Sequence, residues 1–225
     1  VNSPDAVIAE PPAPLPLPPG PYELRVADLR TRWPDGEPDG EMVTLGDADL
    51  LLPPGRRVAL LGHSRVTASA LAAVLLRFLD YEGTVTLNDV ELRDLAGEDV
   101  RRVIARCAHD TRILPADVAD NVRVARPDAT DEEVADALRR AGLTPDDAVG
   151  ESGAERQRVA LARALLADVP VLIVDEPDDA DDEALVDLLT AAEDRSLLLV
   201  THRAAVPGAT PILRHVDEVI SLSGR

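Results

Sequence analysis

Short unbroken apolar runs, each entered from a turn and left through polar residues, give this chain its frame. Val171 to Val174 follows Pro170 and stops at Asp175-Glu176. Arg57 to Leu61 reads RVALL after Pro53-Pro54-Gly55, and Ser196 to Val200 ends in Thr201-His202. Such runs suit strands covered on both faces, as in a parallel sheet. Helical spacing lies between them. Val159, Ala162 and Leu166 share one face, and Leu185, Leu188, Leu189 and Ala192 another. Val134, Ala137, Leu138 and Ala141 form a third, opened by the capping box Thr130-Asp131-Glu132-Glu133 and stopped at Gly142. Further helices are expected over 70–79 and 97–104. Tyr22 to Leu29 alternates as a strand closed by Arg32-Trp33-Pro34, and Met42 to Leu52 is a second strand region. Gly83 to Leu92 reads as a hairpin turning at Asn88-Asp89, and Val216 to Leu222 as a last strand. The class is α/β.

The chemistry gathers at strand ends, where open α/β sheets bind ligands. At Asp175-Glu176 the first carboxylate suits Mg²⁺ held through water, and the second suits orienting or deprotonating an attacking water. Two solvated acids are the plain alternative. The strand over 57–61 runs into Gly62-His63-Ser64-Arg65-Val66-Thr67-Ala68-Ser69 and then a helix, the setting of a phosphate-binding loop. The pattern G-x-x-x-x-G-K-[ST] is broken there. Gly62, Ser64 and Ser69 match, Arg65 and Thr67 stand where glycines belong, and Ala68 stands where the lysine belongs. Glycines let backbone N–H groups turn in around phosphate, and the lysine supplies a point charge. Ser69 still offers a hydroxyl to Mg²⁺. Arg65 either approaches phosphate or obstructs the loop.

Composition sharpens this. The 225 residues are 45% hydrophobic but only 2% aromatic, so the core is aliphatic. All 23 basic residues are Arg, so no lysine elsewhere replaces the missing one. A formal charge of −19 disfavours nucleic acid as a partner. The lone Cys107 excludes an internal disulfide, fits a reducing compartment and reads as a buried small residue. No run reaches the length of a membrane helix, and no signal peptide is visible at a start that is Val1 rather than Met, which suggests a piece of a longer protein. Residues 1–21, with PPAPLPLPPGP, favour extended polyproline II and read as a linker or a Pro-rich ligand ahead of a domain over 22–225.

The stretch from Gly153 to Pro177, GAERQRVALARALLADVPVLIVDEP, preceded by Ser152, resembles the signature segment and Walker B strand of an ABC-type ATPase. The order of the other segments fits that family, which implies a P-loop NTPase-like domain with a mostly parallel core sheet, an antiparallel β subdomain and a helical subdomain, here shortened between Thr144 and Gly150. The resemblance assigns roles residue by residue. Trp33 would stack on adenine, unless it is a turn aromatic or core plug. Gly62, Ser64 and Ser69 would belong to the phosphate loop. His109 would replace the Q-loop glutamine, or be a solvated loop histidine. Ser152, Gly153 and Glu155 would present a helix N-terminus to the γ-phosphate of a facing subunit. Asp175, with Ser69, would hold Mg²⁺. Glu176 would activate water, Asp182 would be the D-loop aspartate, and His202 would contact γ-phosphate. ATP and Mg²⁺ are the implied cofactors.

Within the family, ARCAHDTRIL, ARPDATDEEVADAL and DEVISL are most similar to the C-type subunit of the thiol-reductant exporter for cytochrome bd assembly. That resemblance implies a paired subunit in a heterodimer, a transmembrane domain absent from this chain, and a place on the cytoplasmic face of the membrane. It leaves ATPase activity open: the chain is either an exporter's nucleotide-binding domain with a degenerate site of its own, or a non-hydrolysing module that scaffolds a partner ATPase.

Overall fold

The computed structural model describes residues 8–33, 41–44, 49–61, 65–145, 152–175, 182–201 and 214–221. The first half of the chain runs β1 (Leu24–Trp33), β2 (Glu41–Thr44), β3 (Leu50–Leu52), β4 (Arg57–Leu61), α1 (Arg65–Leu75), β5 (Tyr81–Leu87), β6 (Val90–Glu91) and α2 (Gly97–Val103). The second runs β7 (Ile104–Cys107), α3 (Val118–Arg123), α4 (Asp131–Arg140), α5 (Gly153–Leu166), β8 (Val171–Asp175), α6 (Asp182–Ala191), β9 (Ser196–Thr201) and β10 (Glu218–Ser221). Two five-stranded sheets result. One is antiparallel, in the order β2-β1-β5-β6 with β3 also on β1; the other is parallel, in the order β10-β4-β9-β8-β7.

The inner strands β4, β9 and β8 of the parallel sheet are buried on both faces, as their unbroken apolar runs require, while the edge strand β10 is mostly exposed. Alternate residues go to opposite sides. Val58, Leu60, Val171, Ile173, Leu198 and Val200 join a core with α1 and the antiparallel sheet. Ala59, Leu172, Val174, Leu197 and Leu199 join a second core with α3, α4, α5 and α6. Both cores are mainly aliphatic, as composition demands, with Tyr81 in the first and Cys107 in the second. None of the helices among the described residues is long and apolar enough to cross a membrane.

Several boundaries move from the expected ones for local reasons. β1 runs on through Trp33 because β2 pairs with Arg30 to Trp33. Its register with β5 shifts between Ala27 and Arg30, where Asp28 takes φ +52°. Opposite lies Gly83 at φ +94°, whose missing Cβ would fall 2.4 Å from the Asp28 carbonyl oxygen. The strand region over 42–52 divides into β2 and β3. α1 starts at Arg65 rather than 70 and stops at Leu75 rather than 79. Its end is a Schellman motif without glycine: Arg77, at φ +61°, donates its N–H to Val74 O, and Phe78 donates to Ala73 O. α5 ends the same way on Asp168 at φ +53°, with Val169 N–H donating to Ala164 O. α4 does so on Gly142, where a glycine stop was visible in the sequence.

The hairpin at Asn88-Asp89 has both residues at positive φ, as a type I′ turn needs. The capping box at Thr130 and Glu133 is formed in both directions. Residues 8–21 lie along the domain. Leu15 bridges to Leu95 and donates its N–H to Asp94 O at 2.8 Å. Asn88 Nδ2 donates to Pro19 O at 2.8 Å, and the Gly97 N–H donates to the Glu10 carboxylate at 3.0 Å. The segment docks through the Leu15 N–H, the Glu10 carboxylate and the carbonyls of Pro19 and Pro21, and through Leu17, which packs against the first core.

Candidate functional site

At the carboxyl end of the parallel sheet, β7 and β8 run side by side, with Arg106 opposite Ile173 and Cys107 opposite Val174. Period-two alternation puts Ile104 and Arg106 of β7 on the same face as Val171, Ile173 and Asp175 of β8, the face covered by α1. There Arg106 Nη2 donates to Asp175 Oδ2 at 2.5 Å. The Asp175 side chain is only 5% exposed and that of Arg106 22%, so the pair is largely shielded from water. Arg106 Nη1 also lies 3.5 Å from Asp110 Oδ1 on the turn after β7. Arg106 Nε is buried with no partner among the described residues.

The other face of the same strand ends is fixed from α5. Gln157 is buried, and its Nε2 donates to Cys107 O at 3.1 Å and Asp175 O at 2.9 Å. One amide therefore ties β7 and β8 together where strand pairing ends. α5 is opened by Ser152, whose Oγ accepts from the Glu155 N–H at 3.1 Å while the Ser152 N–H donates to Glu155 Oε2 at 3.2 Å. Ser152 and Glu155 are thus a capping box, and Gly153 is the first helical residue.

Between β7 and α3 the chain is held by Asn121, which is fully buried. It accepts from the Leu114 N–H at 2.8 Å and donates to the carbonyls of Leu114, Ala116 and Asp117. Arg163 of α5 completes the support, donating to Asn121 O at 2.8 Å and Arg112 O at 3.0 Å. Burial lowers the pKa of that guanidinium without threatening its charge. Cys107 is wholly buried, as read from the sequence, and desolvation pushes its thiol up to about 12.

The structure places the other candidates as follows. Trp33 ends β1 and packs, half-buried, against the first core. Ser69 lies inside α1, partly buried, about one turn on from Arg65 at the helix start. Thr67 is also in α1, and Ala68 is 7% exposed within the first core. His109 sits on the turn after β7 with Nδ1 buried and without a partner among the described residues. Asp182 opens α6. Gly62, Ser64, Glu176 and His202 lie outside the described residues.

Sequence reasoning missed Arg106, Gln157 and Asn121. Arg106 lies in β7, a short edge strand that the sequence reading did not expect, and its charge between Ile104 and Cys107 was the available signal. Gln157 sat unremarked on the Arg/Gln face of α5. Against a hydrated Mg²⁺, the described donors do not fit as they stand. One oxygen of Asp175 is already taken by a guanidinium, which sets a positive charge where the cation would lie.

Comparison with known proteins agrees with this fold. The ABC transporter family model matches residues 45–179. Mycobactin import ATP-binding/permease protein IrtA of Mycolicibacterium smegmatis is 35% identical over 203 residues, 82% of this chain and 23% of that protein. Glutathione/L-cysteine transport system ATP-binding/permease protein CydD of Escherichia coli is 35% identical over 185 residues, 74% of this chain and 31% of that protein. Beta-(1-->2)glucan export ATP-binding/permease protein NdvA of Rhodopseudomonas palustris is 34% identical over 202 residues, 81% of this chain and 32% of that protein. The chain therefore spans about a third or less of these relatives. The solved structure of a bacterial Atm1-family ABC exporter with ATP bound superposes with a TM-score of 0.77 at 22% identity, covering 96% of this chain and 40% of that one, a likeness of fold. With the family model covering the phosphate-loop position through the end of β8, the chain belongs to the ABC transporter family as an ATP-binding domain.

Proposed function

We propose that this chain is the nucleotide-binding domain of one half of a heterodimeric ABC exporter, and that its own nucleotide site is degenerate. The observation that carries the reading is the start of α1. Arg65 and Thr67, where the family has glycines, are already helical, and Ala68, where the family has lysine, is turned into the first core. A helix begun this early commits backbone N–H groups to its own turns that a phosphate cradle would need. Thiol or glutathione/cysteine export is the specific substrate class favoured, supported by the similarity to CydD and by the segments ARCAHDTRIL and DEVISL. The family's composite sites take the phosphate loop from one subunit and the signature helix from the other. Here the signature end, capped by Ser152 and Glu155, is the better preserved half. The productive site would pair it with an intact loop on the partner, at the cytoplasmic face of the membrane.

A non-hydrolysing scaffold is the second reading, favoured by the guanidinium on Asp175. The two separate in the assembled transporter. Ser152→Asp keeps an N-cap oxygen but sets a negative charge against the phosphate that the signature would serve. The composite-site reading expects it to suppress turnover by about tenfold or more, with Ser69→Ala nearly silent. Unchanged turnover with Ser152→Asp would make this domain a scaffold.

A further inference from the structure

We propose that Arg106 takes the place of the divalent cation at Asp175, so that this domain holds no Mg²⁺ there while Arg106 is present. The inference deepens the reading of a degenerate site and rests on it for where nucleotide would lie. Its physical basis is independent of the phosphate loop.

Asp175 is the last residue of β8, at the strand end where an ABC domain carries its metal-holding aspartate. Its Oδ2 is 2.5 Å from Arg106 Nη2, inside a face covered by α1, and its side chain is 5% exposed. A carboxylate so buried needs a positive partner. The chain supplies one from the next strand, at the register that brings the arginine beside it on the same face. A hydrated Mg²⁺ would have to reach the same carboxylate through its water and accept a fixed positive charge as a neighbour. The guanidinium already donates to the oxygen that such a water would need. It is also held on its far side, where Nη1 lies 3.5 Å from Asp110. Arg106 is therefore placed as an internal counter-ion, and the Gln157 amide, fixing the backbone carbonyl of Asp175, keeps that carboxylate within its reach.

The metal itself is the probe. Mn²⁺ binding, followed by electron paramagnetic resonance without nucleotide, is compared between the native chain, Asp175→Asn, Arg106→Gln and the double variant. The acidic surface binds Mn²⁺ in every form, so the differences carry the result. The native chain and Asp175→Asn should give the same isotherm. Arg106→Gln should gain one site about tenfold or more tighter than that background, lost again in the double variant. A drop in Mn²⁺ binding on Asp175→Asn, or no gain on Arg106→Gln, overturns the proposal.

Metal rescue gives a second readout should Arg106→Gln fold poorly. Mg²⁺ at about 5 mM should raise its thermal midpoint by about 3 °C or more over that in chelator, or restore its folded circular dichroism. The native chain and the double variant, which meet Mg²⁺ only on the acidic surface, should each shift clearly less than Arg106→Gln does. Failure of Mg²⁺ to rescue Arg106→Gln overturns the proposal equally. Because no nucleotide is present, none of these outcomes depends on the state of the phosphate loop.

Discussion

Gln157→Leu isolates a side chain that hydrogen-bonds α5 to the ends of β7 and β8. The substitution keeps volume and helix propensity, so packing of α5 changes little. What it removes is two hydrogen bonds, to Cys107 O at 3.1 Å and Asp175 O at 2.9 Å. Gln157 is only 4% exposed and both residues that accept from it are buried, so neither carbonyl regains water. An unsatisfied buried acceptor costs about 1–3 kcal/mol. Leucine recovers part of this through its apolar surface, for a net loss of about 2–4 kcal/mol. Urea unfolding followed by far-ultraviolet circular dichroism measures it, as a lower midpoint with an unchanged slope. Gln157→Glu should be at least as damaging, because a carboxylate would face two carbonyl oxygens. A loss below about 0.5 kcal/mol for Gln157→Leu would refute the staple.

Three further outcomes follow from the same structure. Ser152→Ala should cost about 1 kcal/mol by removing the N-cap of α5, while Ser152→Asp restores it, both read by the same urea titration. Ala68→Lys alone should destabilise the chain by about 2 kcal/mol or more in thermal unfolding, since it pushes an ammonium into the first core; a stable Ala68→Lys chain would contradict the position found for Ala68. Cys107 should resist alkylation in the folded chain and react once urea unfolds it. Its raised pKa makes the unfolded thiol release its proton first, so its stabilising contribution is intact below about pH 9 and declines toward about 12, at no more than about 1.4 kcal/mol per pH unit. Subtracting the stability profile of Cys107→Ala from that of the native chain isolates this slope.

The three inner strands of the parallel sheet were legible because burial on both faces leaves no room for polar residues: the apolar run at Arg57 to Leu61 is β4, and those starting at Val171 and Ser196 reach only one residue further in the structure, whereas the edge strand β7, interrupted by Arg106, was not read as a strand. The box at Thr130 and the turn at Asn88-Asp89 were legible because each depends on a few adjacent side chains. Helix ends at Arg77 and Asp168 were not, since both residues adopt the left-handed conformation that composition assigns to glycine. The start of α1 was misplaced because a phosphate-loop pattern implies a loop, whereas Arg65, Thr67 and Ala68 permit helix. The Asp175–Arg106 pair was hidden for another reason. It joins residues 69 positions apart, and only strand register shows that they share a face.

We propose that this ATP-binding domain has lost its own nucleotide site while keeping the fold around it. Isothermal titration of the purified chain with MgATP should then show no saturable binding tighter than about 1 mM, and the same weak response with chelator in place of Mg²⁺. Binding at about 10 μM or tighter, strengthened by Mg²⁺ and lost on Asp175→Asn, would contradict it.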